Sequence, residues 1–548
     1  MTSIADLIEA ADERGPRPLA ELVARLEGEG RLRSVAGGVR ADASPMDASP
    51  LVSGVTNDSR AVHPGSLFVA VPGEHVDGHA FVDAAAAAGA VAVVVERAVA
   101  SPLPQVIVDR SRAALASAAG WWYGDPSAEL GVIGITGTDG KTTTSFLATA
   151  ALEAAGLPTG MLGTAALEIG DRRERNPEHA TTPEAPRLQA ILRAMVTAGD
   201  RAAVVETTSH GLALERVAGI RYDIAILTNI THEHLELHGS WEAYRDAKRS
   251  LFDGLAVSPE NPAKPVPGWP RTGIVNANDP SADVFVEATR RAGARVLTYS
   301  ADPSRRPADI AATSIALDRW GEGLHLGYVT PSGDGHLRSP LSGGFNVLNL
   351  LAVIALGEAI GLDPAAVRAG LESVAAIPGR MERVDAGQPF EVVVDYAHTP
   401  ASLTTVLDEL GRHAEQRGGA LIVVFGSAGE RDVAKRPEMG RIAGERCRLV
   451  VLADEDPRGE DREAILAEIA AGASAAGKRK GTDLLLIPDR RAAIRTALGE
   501  ARPGDFVLLA GKGHEATILY ADHAEPWDER AEALAALAEL GYRGGVGD

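Results

Sequence analysis

The residues best suited to chemistry begin at Thr136, where Thr136-Gly137-Thr138-Asp139-Gly140-Lys141-Thr142 follows the apolar run Val132-Ile133-Gly134-Ile135. Two glycines let backbone N–H groups close around an anion, and Lys141 stands beside them. A helix starting here adds the partial positive charge of its N-terminus, and the Thr142 hydroxyl is placed to ligate magnesium on bound phosphates. Strict phosphate-loop spacing wants glycine five positions before Gly140, where this chain has Ile135, so the loop is a variant. A glycine-rich turn without a ligand is the plain alternative, and it leaves the order of strand, turn, lysine, hydroxyls and helix unexplained.

Three further groups carry chemical potential. Glu206 closes an apolar run and precedes Thr207-Thr208-Ser209-His210-Gly211; a carboxylate there can take a second face of a magnesium ion, or simply form a surface ion pair. Thr231-His232-Glu233-His234-Leu235-Glu236-Leu237-His238-Gly239 gathers three histidines without the helical two-histidine spacing of a zinc site, so solvated histidines compete with metal ligands. Lys248 has Tyr244 and Phe252 four residues to either side, which shields it on a helical face; alone, that pattern describes a snorkelling stem.

The elements that must position these groups follow from periodicity. Phe146, Ala150 and Ala154 recur every four residues, predicting a helix with one apolar stripe that stops near Gly156. Short apolar runs at 202–206, 224–228 and 273–276 alternate with helical segments, which implies a parallel sheet with ligands at the strands' carboxyl ends. A third block repeats the alternation, with strands at 392–395, 421–425, 449–453, 484–488 and 506–510. Before the loop, runs at 91–95 and 106–108 suggest a small α/β unit ending near Asp125-Pro126. Residues 1–50 hold one amphipathic segment, 19–26, and otherwise read as a loose lead-in; proline-rich 258–270 reads as a surface loop. The fold class is therefore α/β in three domains: 1–126, 127–380 with a central phosphate-loop sheet, and 381–548, doubly wound and Rossmann-like.

Bulk composition sets limits. A chain of 548 residues exceeds one core. Its 54 Lys and Arg against 75 Asp and Glu, a net charge of -21, argue against a nucleic-acid or anionic-membrane surface while leaving anionic small substrates open. The single cysteine, Cys447, fits a reducing compartment, the acidic start is no secretory signal, and the longest apolar run falls short of a membrane span. A cytoplasmic protein, acting as a monomer, is expected.

Taken together, these motifs resemble the Mur ligase family, most nearly its branch that adds the third amino acid to UDP-N-acetylmuramoyl-L-alanyl-D-glutamate in peptidoglycan synthesis. The resemblance runs from about Gly54 to Leu540 through Asp58-Ser59-Arg60, GTDGKTTT, Thr181-Thr182-Pro183, Glu206–Leu212, the His234 loop, Lys248, GGFNVLNLL at 343–351, GRMERV at 379–384, VVVDYAHTP at 392–400 and GKGHE at 511–515. It implies that Gly137, Thr138, Asp139, Gly140, Lys141, Thr142, Thr143, Asn346, Arg380, Asp395 and His398 bind ATP. Thr142 and Glu206 would hold one magnesium, with His234 and Lys248, carbamylated by carbon dioxide, on a second. Ser59, Thr181, Thr182, Thr208 and Arg216 would bind the UDP-sugar dipeptide. Arg431, Glu455, Asp456, Pro457, Arg458, Gly511 and Glu515 would recognise the incoming amino acid. Lys141, Glu206, His234 and Lys248 form the implied catalytic set, and the implied reaction passes through an acyl phosphate that the amine attacks.

The chain departs from the family where it has Asp456 in place of asparagine in Asp-Asn-Pro-Arg, as well as Leu214, Glu233 and Glu236. Added negative charge at 456 brings lysine or ornithine into competition with meso-diaminopimelate. Competing readings are another ATP-dependent peptide ligase of the superfamily and a catalytically silent nucleotide-binding homologue; keeping Lys141, Thr142, Glu206, His234 and Lys248 together weighs against the latter.

Overall fold

The computed structural model describes residues 3–12, 15–37, 49–73, 76–177, 180–231, 238–257, 264, 268–304, 306–318 and 323–543. Three sheets dominate these residues. The first has five strands, in the order Leu32–Ala36, Gln105–Val108, Ala92–Val95, Ser66–Val69, Gly54–Thr56, all parallel except the first pair. The second has eleven, and its centre runs Thr159–Leu162, Ala202–Glu206, Gly131–Thr136, Ile224–Leu227, Thr272–Asn276, Arg295–Ser300 in parallel, with antiparallel hairpins added at both edges. The third places Glu391–Asp395, Phe506–Ala510, Leu421–Phe425, Leu449–Leu452 and Leu484–Leu486 side by side in parallel.

The strands read from apolar runs thus form within a residue or two of their expected limits. They are hydrophobic on both sides because helices cover both faces of a parallel sheet. In Gly131–Thr136, Val132 enters one core and Ile133 and Ile135 the other. The first of these cores also contains Val69, Val94, Trp122 and Leu22, so the N-terminal sheet and one face of the central sheet share one hydrophobic cluster.

Two sequence expectations are corrected here. Residues 4–36 are no loose lead-in: the helices Ile4–Asp12 and Leu19–Gly28 bury Ile4, Ile8, Leu19, Leu22, Val23 and Leu26 in that shared core, and Leu32–Ala36 joins the first sheet. The short lengths of these elements hid a packing face that the helices Ser111–Tyr123 and Ala185–Ala198 complete. Within 258–270, where the described part is Lys264 and 268–270, Lys264 is buried: its Nζ pairs with Asp223 at 2.5 Å and donates to the carbonyls of Ser127 and Leu130. Burial pushes its pKa down to about 8.

The register delivers the functional loops to one edge. Glu206 pairs with Ile135, and Leu227 with Thr136, so the segments after these three parallel strands leave the sheet together. In the third sheet Asp395 pairs with Ala510, and Phe425 with Leu452, which likewise gathers the segments 396–399, 426–434, 453–461 and 511–516.

Candidate active site

The phosphate-loop residues sit where a strand turns into the helix Lys141–Ala154. Gly137 has φ +149° and Gly140 φ +83°; a Cβ on Gly137 would lie 1.9 Å from Thr228 Oγ1, and one on Gly140 2.5 Å from Asn349 Oδ1. The neighbouring strand end holds the loop open. Thr138 N donates to the Asn229 carbonyl at 2.8 Å, Asp139 N to Asn229 Oδ1 at 3.0 Å, and Thr228 Oγ1 to the Asp139 carbonyl at 2.6 Å. The helix departs from its expected stripe: Thr142 to Thr149 are all buried while Ala154 is exposed, because the helices Asn346–Ile360 and Pro364–Ser373 pack on it as well as the sheet.

Lys141 folds back, its Nζ donating to the carbonyls of Gly137 at 2.9 Å and Thr138 at 2.7 Å. Glu206 is fully buried and in no surface ion pair. Its Oε2 accepts from Thr142 Oγ1 at 3.2 Å and Thr164 Oγ1 at 2.8 Å, and its Oε1 from Thr164 N at 2.9 Å. Thr142 Oγ1 also accepts from Arg380 Nη2 at 3.2 Å. Two hard oxygen donors, Thr142 and Glu206, therefore converge beside a helix N-terminus, a donor set that fits magnesium.

Lys248 does not snorkel. It is buried, with Nζ donating to the Gly137 carbonyl at 2.7 Å and lying 4.4 Å from the centre of the Tyr244 ring. Both contacts are those of an ammonium donor. His234 lies outside the described residues. Among the described residues no three His, Cys, Asp or Glu side chains converge as a metal site.

One cleft of about 1650 Å³ joins the three sets of candidate substrate residues. Thr138 to Thr143 line it beside Asn346, Arg380, Asp395 and His398. Asp395 is buried, which pushes its carboxyl up against the opposing pull of Arg380, and it accepts from the Met381 and Ala397 amides at 2.8 Å. The Arg380 guanidinium stands 4.5 Å over the Tyr396 ring. At the second side of the cleft Thr182 is a hub: it donates to the Glu206 carbonyl at 3.0 Å and accepts from Thr208 N and Oγ1, while Arg216 Nη1 donates to its carbonyl. Thr181 shares a 2.9 Å hydroxyl contact with Thr164. Ser59 lies in a short turn with the Asp58–Arg60 pair and does not line the cleft.

The third side is charged. Arg431, Glu455, Asp456, Arg458 and Glu515 line it; Gly511 lies behind, where a Cβ would meet Glu455 Oε2 at 2.8 Å, and Pro457 stands out of line. Asp456 already has partners: its Oδ1 accepts from Lys512 Nζ at 2.8 Å and from Leu519 N at 2.9 Å. Lys512, fully buried, also reaches Glu515 Oε2 at 2.6 Å. Burial pushes the Glu515 carboxyl up, and Asp456 pushes it the same way against Lys512. Arg458 adopts φ +53°, and its Nε and the Glu455 Oε2 are buried without hydrogen-bond partners, polar atoms left for a ligand to satisfy.

Several participants had no individual place in the sequence reading. Thr164 gives Glu206 two of its bonds, and its signal is only a threonine after a strand. Asn349, one helical turn past Asn346, accepts from Thr144 Oγ1 at 3.2 Å and faces Gly140; its spacing of three in GGFNVLNLL was the available clue. His514, whose pKa burial drives down to about 3, is a neutral imidazole beside Arg380, with Nδ1 unpartnered.

Comparison with known proteins agrees with this arrangement. Residues 51–120 match the Mur ligase family, catalytic domain; 135–357 the Mur ligase middle domain; and 379–513 the Mur ligase, glutamate ligase domain. The chain is 49% identical to a UDP-N-acetylmuramyl-tripeptide synthetase of Roseiflexus sp. (strain RS-1), over 90% of this chain and 96% of that one. It is 39% identical to the UDP-N-acetylmuramoyl-L-alanyl-D-glutamate--2,6-diaminopimelate ligase of Geobacter metallireducens, over 90% and 95%. A solved UDP-N-acetylmuramoyl-L-alanyl-D-glutamate--2,6-diaminopimelate ligase superposes with a TM-score of 0.61 at 30% identity, covering 92% of this chain and 98% of that one. Matched along nearly its whole length by such relatives, the chain belongs to the Mur ligase family.

Proposed function

We propose that the protein is an ATP-dependent ligase that joins a diamino acid to the D-glutamyl carboxylate of UDP-N-acetylmuramoyl-L-alanyl-D-glutamate, a step of peptidoglycan synthesis carried out in the cytoplasm. The observation that carries this reading is one cleft onto which a phosphate loop, the Thr181–Thr182–Thr208–Arg216 cluster and the Glu455–Arg458–Glu515 cluster all open. Each supplies what one of three substrates needs.

ATP transfers its γ-phosphoryl group to the substrate carboxylate, giving an acyl phosphate and ADP; the amine then displaces phosphate and an amide forms. Two anions must meet in the first step, so the protein's task is to offset charge. Lys141 exchanges the Gly137 and Thr138 carbonyls for phosphate oxygens, and Arg380 adds a second cation from the junction with the third domain. Magnesium held by Thr142 and Glu206, with His234 and Lys248 serving a second ion, would withdraw further charge from those oxygens. Thr182 and Thr208 present hydroxyls, and Arg216 a guanidinium, to the sugar dipeptide. Asn346, Asp395 and His398 border the nucleotide; Asp395 holds the backbone at Met381, next to Arg380, and Ala397, next to His398. Glu455 and Glu515 receive an ammonium of the amino acid and Arg458 its carboxylate.

Carbamylation of Lys248 belongs to the same reading. The neutral amine adds carbon dioxide at Nζ and releases a proton, and the resulting anion turns away from the Gly137 carbonyl and the Tyr244 face.

The test is phosphate release from ATP with purified protein, offering diaminopimelate, lysine and ornithine in turn. Release that requires both the UDP-muramoyl dipeptide and one diamino acid is expected. Nucleotide binding without turnover would favour a silent homologue.

A further inference from the structure

Arg490 is buried at the start of the helix Arg490–Gly499, behind the charged side of the cleft, and does not line it. Its Nε donates to both carboxylate oxygens of Glu529, at 3.1 and 2.9 Å, and its Nη2 to Glu529 Oε1 at 2.6 Å. Glu529 is itself fully buried and accepts from Trp527 Nε1 at 2.6 Å. The remaining donors of the guanidinium point elsewhere: Nη1 to the Asp454 carbonyl at 3.0 Å and Nη2 to the Ala510 carbonyl at 2.7 Å.

Those two carbonyls belong to different loops. Asp454 immediately precedes Glu455–Arg458, and Ala510, the last residue of its strand, immediately precedes Gly511–Glu515. The strands Leu449–Leu452 and Phe506–Ala510 are not neighbours in the sheet, since Leu421–Phe425 lies between them. One planar side chain therefore spans an intervening strand and fixes the starting points of both segments that border the charged side of the cleft.

We propose that Arg490, locked by Glu529, is a positioning residue for amino-acid recognition, setting the distance between the Glu455–Arg458 loop and the Gly511–Glu515 loop. A buried ion pair adds little net stability compared with well-packed aliphatic groups, so stability alone gives little reason for one here. What an aliphatic pair lacks is a rigid fork able to hold two carbonyls and one carboxylate in a single plane. The proposal rests on the ligase reading above.

The experiment is the kinetic analysis of Arg490→Lys, with Glu529→Gln alongside, measuring KM separately for the diamino acid, ATP and the UDP-muramoyl dipeptide. An ammonium keeps the charge but cannot span all three acceptors. The diamino-acid KM should rise about tenfold or more, the scale of one lost charge-assisted hydrogen bond, with the other two KM values moving less than about twofold. Positional isotope exchange in labelled ATP, run with the dipeptide and no amino acid, should persist, since the phosphoryl step does not use these loops. The proposal is overturned if the diamino-acid KM stays put, or if all three KM values rise together with a fall in Tm. Should Arg490→Lys not fold, Glu529→Gln is read by the same criteria. Wild-type protein lacking any diamino-acid-dependent release would sink the ligase reading itself, a different result from either.

Discussion

Asp456→Asn isolates one charge in the proposed amino-acid site. Asp456 Oδ1 accepts from Lys512 Nζ and from Leu519 N, and an asparagine Oδ1 can accept both, so the substitution removes charge while keeping shape. In the wild-type cluster Lys512 faces two carboxylates, Asp456 and Glu515, leaving one negative charge in excess. The variant leaves none. That excess attracts a second ammonium on the incoming amino acid and repels a second carboxylate. A unit charge removed from about 7 Å in surroundings of effective dielectric near 20 changes such an interaction by about 2 kcal/mol, or about 30-fold. The ratio of kcat/KM for meso-diaminopimelate over lysine or ornithine should therefore rise by about that factor. It is measured by phosphate release with each amino acid at saturating ATP and UDP-muramoyl dipeptide. Stability should fall by no more than about 1–3 kcal/mol, because Lys512 retains Glu515. A ratio unchanged within about threefold would refute the reasoning, since Lys512 would then be screening Asp456 from the substrate completely.

Other perturbations have equally definite outcomes. Lys248→Ala should abolish turnover, and short-chain carboxylates such as acetate should partly restore it by standing in for the carbamate; an alanine variant of undiminished rate counts against carbamylation. Gly137→Ala forces a Cβ to within 1.9 Å of Thr228 Oγ1, so ATP affinity measured by calorimetry should collapse, with a stability loss of about 1–3 kcal/mol in urea melts; unchanged affinity would mean that the loop does not hold the phosphates. Asp200 is buried, its Oδ2 accepting from Gly170 N at 3.0 Å, and burial raises its pKa to about 6. The folded state then holds a proton that the unfolded chain has released, so stability declines as pH rises from about 4 to 6. Asp200→Asn, which keeps the acceptor, should gain about 1–2 kcal/mol over wild type above pH 6 and nothing near pH 4; a pH-independent difference in Tm would refute the assignment.

What the sequence made legible divides along physical lines. Parallel strands covered on both faces announce themselves as short apolar runs, and the segments at 202–206, 421–425 and 506–510 form with the limits expected. The phosphate loop was legible because it needs glycine, lysine and hydroxyl in fixed order, and Glu206 because it ends a strand that pairs with the loop's own strand. The amphipathic segment at 19–26 forms as the helix Leu19–Gly28, whereas Ile4–Asp12 was missed and neither was given its place in the core, because their apolar faces meet Ala118, Trp122 and Ile191, distant in sequence, and no local window contains those partners.

Buried charge is the harder class, and it concentrates in the third domain. Lys512, Arg490 and Arg436 read locally as ordinary polar residues, yet all three are fully or almost fully buried, each neutralised by carboxylates from other segments. Arg436 Nη2 donates to the Ala428 carbonyl at 3.2 Å, while its partner Glu460 accepts from Glu430 N at 2.9 Å, so this pair grips the loop leading to Arg431 just as Arg490 grips the two others. Three loops, each carrying part of the proposed amino-acid site, are thus held from behind by charged side chains that make no period and no motif. Since such pairs contribute geometry more than stability, substitutions behind the cleft should redistribute preference among diamino acids before they unfold the domain. On the proposed reading, selectivity is then a property of the spacing between loops as much as of the residues that face the substrate.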